Sequence, residues 1–269
     1  MDYSLELTAA LGAAERAGEN LAERYERFAA IPDAPIDIST EADHAAQEII
    51  LQNLRECFPQ DALCAEETTP TLARAEHTGS RLWIIDPIDG TRGFARKNGE
   101  FSVMVAFVYE GRIGVGVVLE PALRRMTYAV RGQGCWCKDG DGEARRCQVT
   151  DTASLAEATL IQSHSKDPAK PSAQLRALKP GRVIESYSAG VKLARVARGE
   201  ADLYLNTYGA FHDWDIAAGH ILVTEAGGTV TGLHGEELVY GQPGAWQRHG
   251  LLASNGAIHE EALKALANL

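Results

Sequence analysis

Trp83-Ile84-Ile85-Asp86-Pro87-Ile88-Asp89-Gly90-Thr91 is the stretch on which the reading of this 269-residue chain turns. An apolar strand ends in Asp86, which places that carboxylate at the end of a sheet. Pro87 cannot donate to a strand ladder and fixes the turn. Asp89 follows three residues later, and Gly90 permits a backbone conformation that other residues resist. Asp86, the Ile88 carbonyl and Asp89 can therefore aim at one point, and such a set of oxygen donors suits a hard cation such as Mg²⁺. Gly90 and Thr91 open the next segment, whose backbone N–H groups could hold a phosphate oxygen. Aspartate also favours turns, so this pattern alone reads more readily as turn chemistry than as a metal site.

Two further acid clusters shift the balance. Glu66-Glu67 follows the apolar run Ala62-Leu63-Cys64-Ala65, and adjacent acids there repel unless one is solvated or bound to a cation. Asp213-Trp214-Asp215 precedes a helical pattern; Asp215 alone would read as an ordinary helix cap. The case rests on the set, because acids at three separated strand or helix ends can converge only in a folded chain.

Composition narrows the function classes. Apolar residues make up 45% and charged residues 23% of the sequence, ordinary values for a globular protein. No apolar stretch is long enough to span a membrane, and the N-terminus lacks the basic region and apolar core of a signal peptide. The net charge of −11 argues against a nucleic-acid polymer as partner, since such a partner needs a basic face. An acidic protein that handles a small phosphorylated metabolite must neutralise its carboxylates locally, and metal ions do this. The five cysteines form no paired C-x-x-C pattern and read as reduced thiols of a cytoplasmic protein. Cys135 and Cys137 lack the spacing and partners of a zinc site.

Residues 4–28 carry apolar side chains at helical spacing, and Thr40-Glu41-Ala42-Asp43 starts a second helix with a capping box in which Asp replaces Glu. Residues 62–65 and 81–86 read as strands, 101–121 as a hairpin turning at Glu110-Gly111, and 126–137 as further strand around a Gly-rich bend. The segment 138–146 is an acidic loop without the closing Glu and flanking helices of a calcium site. Strands at 159–163, 183–186, 201–206, 229–233 and 251–255 then alternate with helices at 190–198, 214–226 and 257–268. This predicts a layered α+β or α/β sandwich, in one compact unit with halves 1–150 and 151–269.

WIIDPIDGT, followed by WDIAAG and preceded by AEE, resembles the inositol monophosphatase superfamily, whose pattern is GEE or SEE, then DPxDGT, then WDxAAG. Ala65 departs from the usual Gly or Ser and is small enough to be harmless. The resemblance covers the whole chain, through TEAGG and LLASN, and implies an αβαβα sandwich and a Mg²⁺-dependent, lithium-sensitive phosphatase. It implies that Glu66, Asp86 and the Ile88 carbonyl hold one metal, and that Asp86, Asp89 and Asp215 hold a second. Thr91 would work with Glu66 to orient and deprotonate the attacking water, and Asp43 would help hold a third, weaker ion. Two cations about 4 Å apart clamp the attacking and leaving oxygens of an in-line displacement, and no covalent nucleophile is required. Ser163-His164-Ser165 shows no acid partner that would make it a serine triad.

Arg96-Lys97-Asn98-Gly99-Glu100-Phe101-Ser102-Val103 resembles the RNGEFTV segment of CysQ-type 3′(2′),5′-bisphosphate nucleotidases. By that resemblance His164 would meet a nucleotide and Lys192 a second phosphate, with Arg96 and Lys97 nearby. Gly90, Thr91 and Asn206 complete the expected substrate contacts. Ala189 and Asn206 depart from the nucleotidase pattern. The expected activity is hydrolysis of 3′-phosphoadenosine 5′-phosphate. Inositol-1-phosphate or another sugar or polyol phosphate, and histidinol phosphate, are the alternatives. A regulatory binding protein is disfavoured by the intact acids. Inositol phosphatases are often dimers and nucleotidases often monomers, so a homodimer depends on which subfamily applies.

Overall fold

The computed structural model describes residues 2–35, 38–165, 170–208 and 211–267. Two helices open the chain, α1 (Ser4–Arg27) and α2 (Glu41–Cys57). The expected capping box is present: the Thr40 side chain accepts from the first turn of α2, and Asp43 reaches back to the Thr40 N–H. Next come β1 (Ala62–Ala65), β2 (Arg81–Asp89), the short α3 (Thr91–Ala95), β3 (Ser102–Tyr109), β4 (Arg112–Glu120), β5 (Arg125–Val130), β6 (Gly134–Asp139) and β7 (Arg145–Arg146). These seven strands form one sheet in sequence order, with β1 parallel to β2 and the rest antiparallel.

The second half supplies β8 (Thr159–Gln162), α4 (Ala173–Leu178), β9 (Arg182–Glu185), α5 (Ala189–Ala197), β10 (Leu203–Asn206) and β11 (Phe211–His212). It continues with α6 (Asp213–Glu225), β12 (Thr229–Thr231), β13 (Trp246–Gln247), β14 (Leu251–Ser254) and α7 (His259–Leu266). A second sheet has the order β12-β14-β10-β8-β9, and β11 pairs with β13. Helices α3 and α4 and the strands β7, β11 and β13 are too short to leave a periodic signature and were not expected. Residue 268, the expected end of the last helix, lies outside the described residues.

Burial explains the layering. Along β3, Val103, Val105 and Phe107 pack with α1 and α2, whereas Met104, Ala106 and Val108 face α5 and α6. A strand covered on both faces reads as an uninterrupted apolar run. Helices α5 and α6 lie between the sheets, and α4 and α7 close the far side over Leu160, Leu203 and Leu252. The result is the expected αβαβα sandwich. At Gly116 of β4, a Cβ would stand 2.4 Å from Ile221 and 2.5 Å from the Ala218 carbonyl. Only glycine lets α6 lie this close to the sheet.

Strand β2 runs three residues beyond the expected Asp86 terminus, and the extension is irregular. Asp86 pairs with Met104 and Asp89 with Ser102, so three steps on β2 match two on β3. The bulge at Pro87-Ile88 inserts one residue and shifts the alternation. In a regular strand, residues three apart point to opposite faces; here Asp86 and Asp89 both turn to the α5–α6 side, while Ile88 packs with α1 and α2.

Candidate active site

A cleft of about 1230 Å³ is lined by Glu66, Asp86, Ile88, Asp89, Gly90, Thr91 and Asp215, together with residues from the ends of β8, β9 and β10. The four acids arrive from the end of β1, the bulged end of β2 and the first turn of α6. At that first turn, Asp215 accepts the His212 N–H as a cap and still faces the cleft.

Each acid has a distinct environment. Asp86 is 2% exposed, and its Oδ1 has no hydrogen-bond partner. Burial first, then the charges of Glu66, Asp89 and Asp215, push its pKa well above the usual carboxylate range. Glu66 opens on the solvent of the cleft but is crowded by protein. Lost hydration and the Asp215 charge push it up to about 8, and it stands within hydrogen-bonding reach of Asp86. Asp215 is raised to about 7, chiefly by burial. Asp89 is also raised by burial, against a cage of donors: the Ser188 hydroxyl, the Ala189 N–H at 3.1 Å and the Gly190 N–H at 2.6 Å. The Ser102 hydroxyl adds a longer contact at 3.3 Å. The start of α5, where Ser188 caps the helix, therefore receives Asp89, a role for which the sequence reading offered no signal.

This donor set fits a hard divalent cation. All the donors are oxygens, several are carboxylates, and a buried carboxylate oxygen lacking a partner asks for a positive ligand. Among the described residues, no three acidic, imidazole or thiol groups stand at ligand spacing. The acids share one cleft without closing into a ready coordination sphere.

Thr91 is placed differently from expectation. Its hydroxyl lies 3.1 Å from Asp43 Oδ1 and 2.9 Å from the Ile88 carbonyl; its carboxylate neighbour is Asp43 rather than Glu66. Asp43 is 1% exposed, and its Oδ2 accepts from Thr40 N and Thr40 Oγ1, which leaves Oδ1 for Thr91. Burial raises the Asp43 pKa and so its basicity. The capping box therefore also orients a carboxylate beside the cleft. Glu67 faces away from the acids, onto Ser39 and His44. Asp213 is taken up by the Gly241 N–H and Gln247.

The expected substrate contacts divide. Gly90 lies on the cleft wall with φ +86°, and a Cβ there would meet the Glu100 carbonyl at 2.7 Å. Asn206 lines the cleft, its Oδ1 accepting the Tyr208 N–H. His164 also lines it, but both ring nitrogens face carboxylates: Glu100 at 2.7 Å and Glu185 at 3.3 Å. Its ring lies on Tyr187 at 4.2 Å between centroids. Lys192 requires a correction. It is 1% exposed and lies beneath the cleft floor, donating to Ser163, Ser186 and Tyr187, so it does not present a cation to a second phosphate. Lys97 likewise turns away, onto the Tyr25 ring and the last carbonyls of α1. Sequence reasoning missed Glu100, Tyr187 and Arg92. Glu100 lay within the motif quoted for the subfamily, but nothing local showed that it reaches His164 and the Tyr187 N–H.

The sequence profile of the Inositol monophosphatase family matches residues 2–269. The chain belongs to the inositol monophosphatase family. This phosphatase is 36% identical over 230 residues to the Thermotoga maritima fructose-1,6-bisphosphatase/inositol-1-monophosphatase, covering 86% of this chain and 82% of the relative. It is 35% identical over 208 residues to the 3′(2′),5′-bisphosphate nucleotidase CysQ of Salmonella typhimurium, covering 77% and 80%. A solved Thermotoga maritima IMPase superimposes with a TM-score of 0.81 at 32% identity, over 98% of this chain and 97% of that one. Members are metal-dependent phosphoric monoester hydrolases, generally using Mg²⁺, and act on small phosphorylated metabolites. Among the described residues no helix is long and apolar enough to cross a membrane, and all five cysteines are free thiols.

Proposed function

We propose that this phosphatase is a cytoplasmic 3′(2′),5′-bisphosphate nucleotidase, hydrolysing 3′-phosphoadenosine 5′-phosphate to AMP and phosphate. The observation that carries the reading is the composition of the cleft beyond the acids. A polyol monophosphate fills only a small part of it, whereas a nucleotide uses the wall formed by the His164 and Tyr187 rings, which touch at a tilt of 33°. Arg92 and Lys170 line the same cleft and are the kind of cations that answer a second phosphate. Arg92 also lies over the Tyr187 ring at 5.2 Å. With the His164 nitrogens engaged by Glu100 and Glu185, the flat aromatic surface is what a purine meets.

Glu66, Asp86, the Ile88 carbonyl, Asp89 and Asp215 are the groups that would hold Mg²⁺. When bound, the ions neutralise these acids and stabilise the charge of the transferring phosphoryl group. The proton of the attacking water is handled by the chain itself. Thr91 accepts it while passing its own hydroxyl proton to Asp43 Oδ1, which the Thr40 contacts hold in place. Water oxygen bonds to phosphorus, the ester P–O bond breaks, and the leaving oxygen takes a proton from the cleft solvent.

The test is a comparison of kcat/KM for 3′-phosphoadenosine 5′-phosphate, inositol-1-phosphate, fructose-1,6-bisphosphate and histidinol phosphate with Mg²⁺ present. Preference for the nucleotide by tenfold or more is expected; equal or better turnover of inositol-1-phosphate rejects the assignment.

A further inference from the structure

Lys192 is an ammonium group buried without a carboxylate at salt-bridge distance among the described residues. Its Nζ donates to Ser163 Oγ at 3.0 Å, the Ser186 carbonyl at 3.1 Å and the Tyr187 carbonyl at 3.4 Å, and lies 5.0 Å above the Tyr204 ring. Burying a charge this completely is costly unless compensating charge is near. Burial pulls its pKa down to about 8, and the negative charges of Asp89, Glu100 and Asp215 work against that fall. Two of these belong to the group facing the cleft. The connection is also mechanical: the first turn of α5, which carries Lys192, supplies the Ala189 and Gly190 amides and the Ser188 hydroxyl that hold Asp89. Through Ser163, Nζ also reaches the cleft lining at the end of β8.

We propose that Lys192 is a resident counter-charge for the acid cluster, weakening the affinity of the cleft for divalent cations. A fixed positive charge in this low-dielectric floor opposes an incoming cation while the oxygens attract it. Removing the charge therefore tightens cation binding. A purely structural lysine acts in the other direction, because disturbing α5 would misplace the cage of Asp89 and weaken binding.

The inference rests on the reading of the acids as a cation site, and one experiment separates the two. Mg²⁺ is titrated into the full-length protein without substrate, with calorimetry and melting temperature as readouts, for the wild type, Lys192→Gln, Lys192→Met and Lys192→Arg. Gln retains donors for the Ser186 and Tyr187 carbonyls, which guards against collapse of the loop. The Mg²⁺ Kd is expected to fall about tenfold in the Gln and Met variants and to stay within about twofold in Arg. A wild type that binds no Mg²⁺ would defeat the cation-site reading itself. Normal wild-type binding with an unchanged or weaker Gln variant would overturn the role assigned to Lys192. Failure of both uncharged variants to fold, with or without Mg²⁺, would limit Lys192 to fold stability and also overturn it.

Discussion

Stripping Mg²⁺ from this phosphatase should make its stability fall as pH rises, and restoring the ion should remove most of that dependence. In the unfolded chain the acids ionise near pH 4. In the fold Glu66 is pushed up to about 8 and Asp215 to about 7, with Asp86 and Asp89 also raised. Between those limits the folded state binds more protons than the unfolded one, so stability is greatest below the unfolded pKa and declines until the folded pKa is passed. Glu66 opens on solvent and the acids share their protons, so screening and coupling cut the nominal shifts; a loss of about 3 kcal/mol for the set is reasonable. At ~2 °C per kcal/mol for a chain of this length, that is a fall of ~6 °C between about pH 5 and pH 8 in EDTA. Mg²⁺ at about a hundred times its Kd restores about 2.7 kcal/mol, and more visibly at the higher pH, where the acids would otherwise be charged and unneutralised. Differential scanning fluorimetry across this range, with EDTA or Mg²⁺, reads both effects. A melting temperature in EDTA that stays level or climbs with pH would refute the reasoning, as would a Mg²⁺ effect that shrinks with pH.

Asp86→Asn removes a group that becomes a buried charge among like charges as pH rises, so at the alkaline end of that range the ion-free protein should melt higher than wild type, while losing the Mg²⁺-induced rise and more than about 99% of its activity; a lower melting point there in EDTA contradicts this. Asp89→Asn should abolish turnover and also destabilise, by about 1–3 kcal/mol, because its amide NH₂ would replace one of the two oxygens and face either the Ala189 N–H or the Gly190 N–H, donor against donor; turnover within a few-fold of wild type excludes Asp89 as a ligand. Thr91→Val should lower kcat by about 100-fold with little change in KM, and Thr91→Ser should recover most of it; equal losses in both variants argue against the hydroxyl relay. Gly93→Ala should lower the melting temperature, since its Cβ would stand 2.2 Å from the Glu100 carbonyl; an unshifted melting curve would show that the α3–β3 segment yields freely. Lithium should inhibit in the presence of Mg²⁺, and turnover indifferent to it would set this chain apart from the behaviour its resemblance implies.

The sequence alone determined the long elements and the identity of the acids. Periodic burial writes α1 and α2 plainly into residues 4–57, and two-sided burial writes β3 and β4 as unbroken apolar runs. Asp86, Asp89 and Asp215 could be singled out because strand ends, a proline and a helix start are local features. Direction and partnership were not local. The Pro87-Ile88 bulge turns Asp86 and Asp89 to one side, and it exists only in the pairing of β2 with β3. Asp43 could be recognised as a cap, but its second task beside Thr91 required two segments 48 residues apart to meet. Lys192 looked in sequence like a cation available to substrate, whereas packing of α5 between the sheets buried it and turned its ammonium onto Ser163 and the Ser186 and Tyr187 carbonyls. A linear pattern specifies which groups a chain carries. Which group faces solvent, which faces a carboxylate and which lies hidden beneath the cleft depends on long-range contacts formed when the layers close.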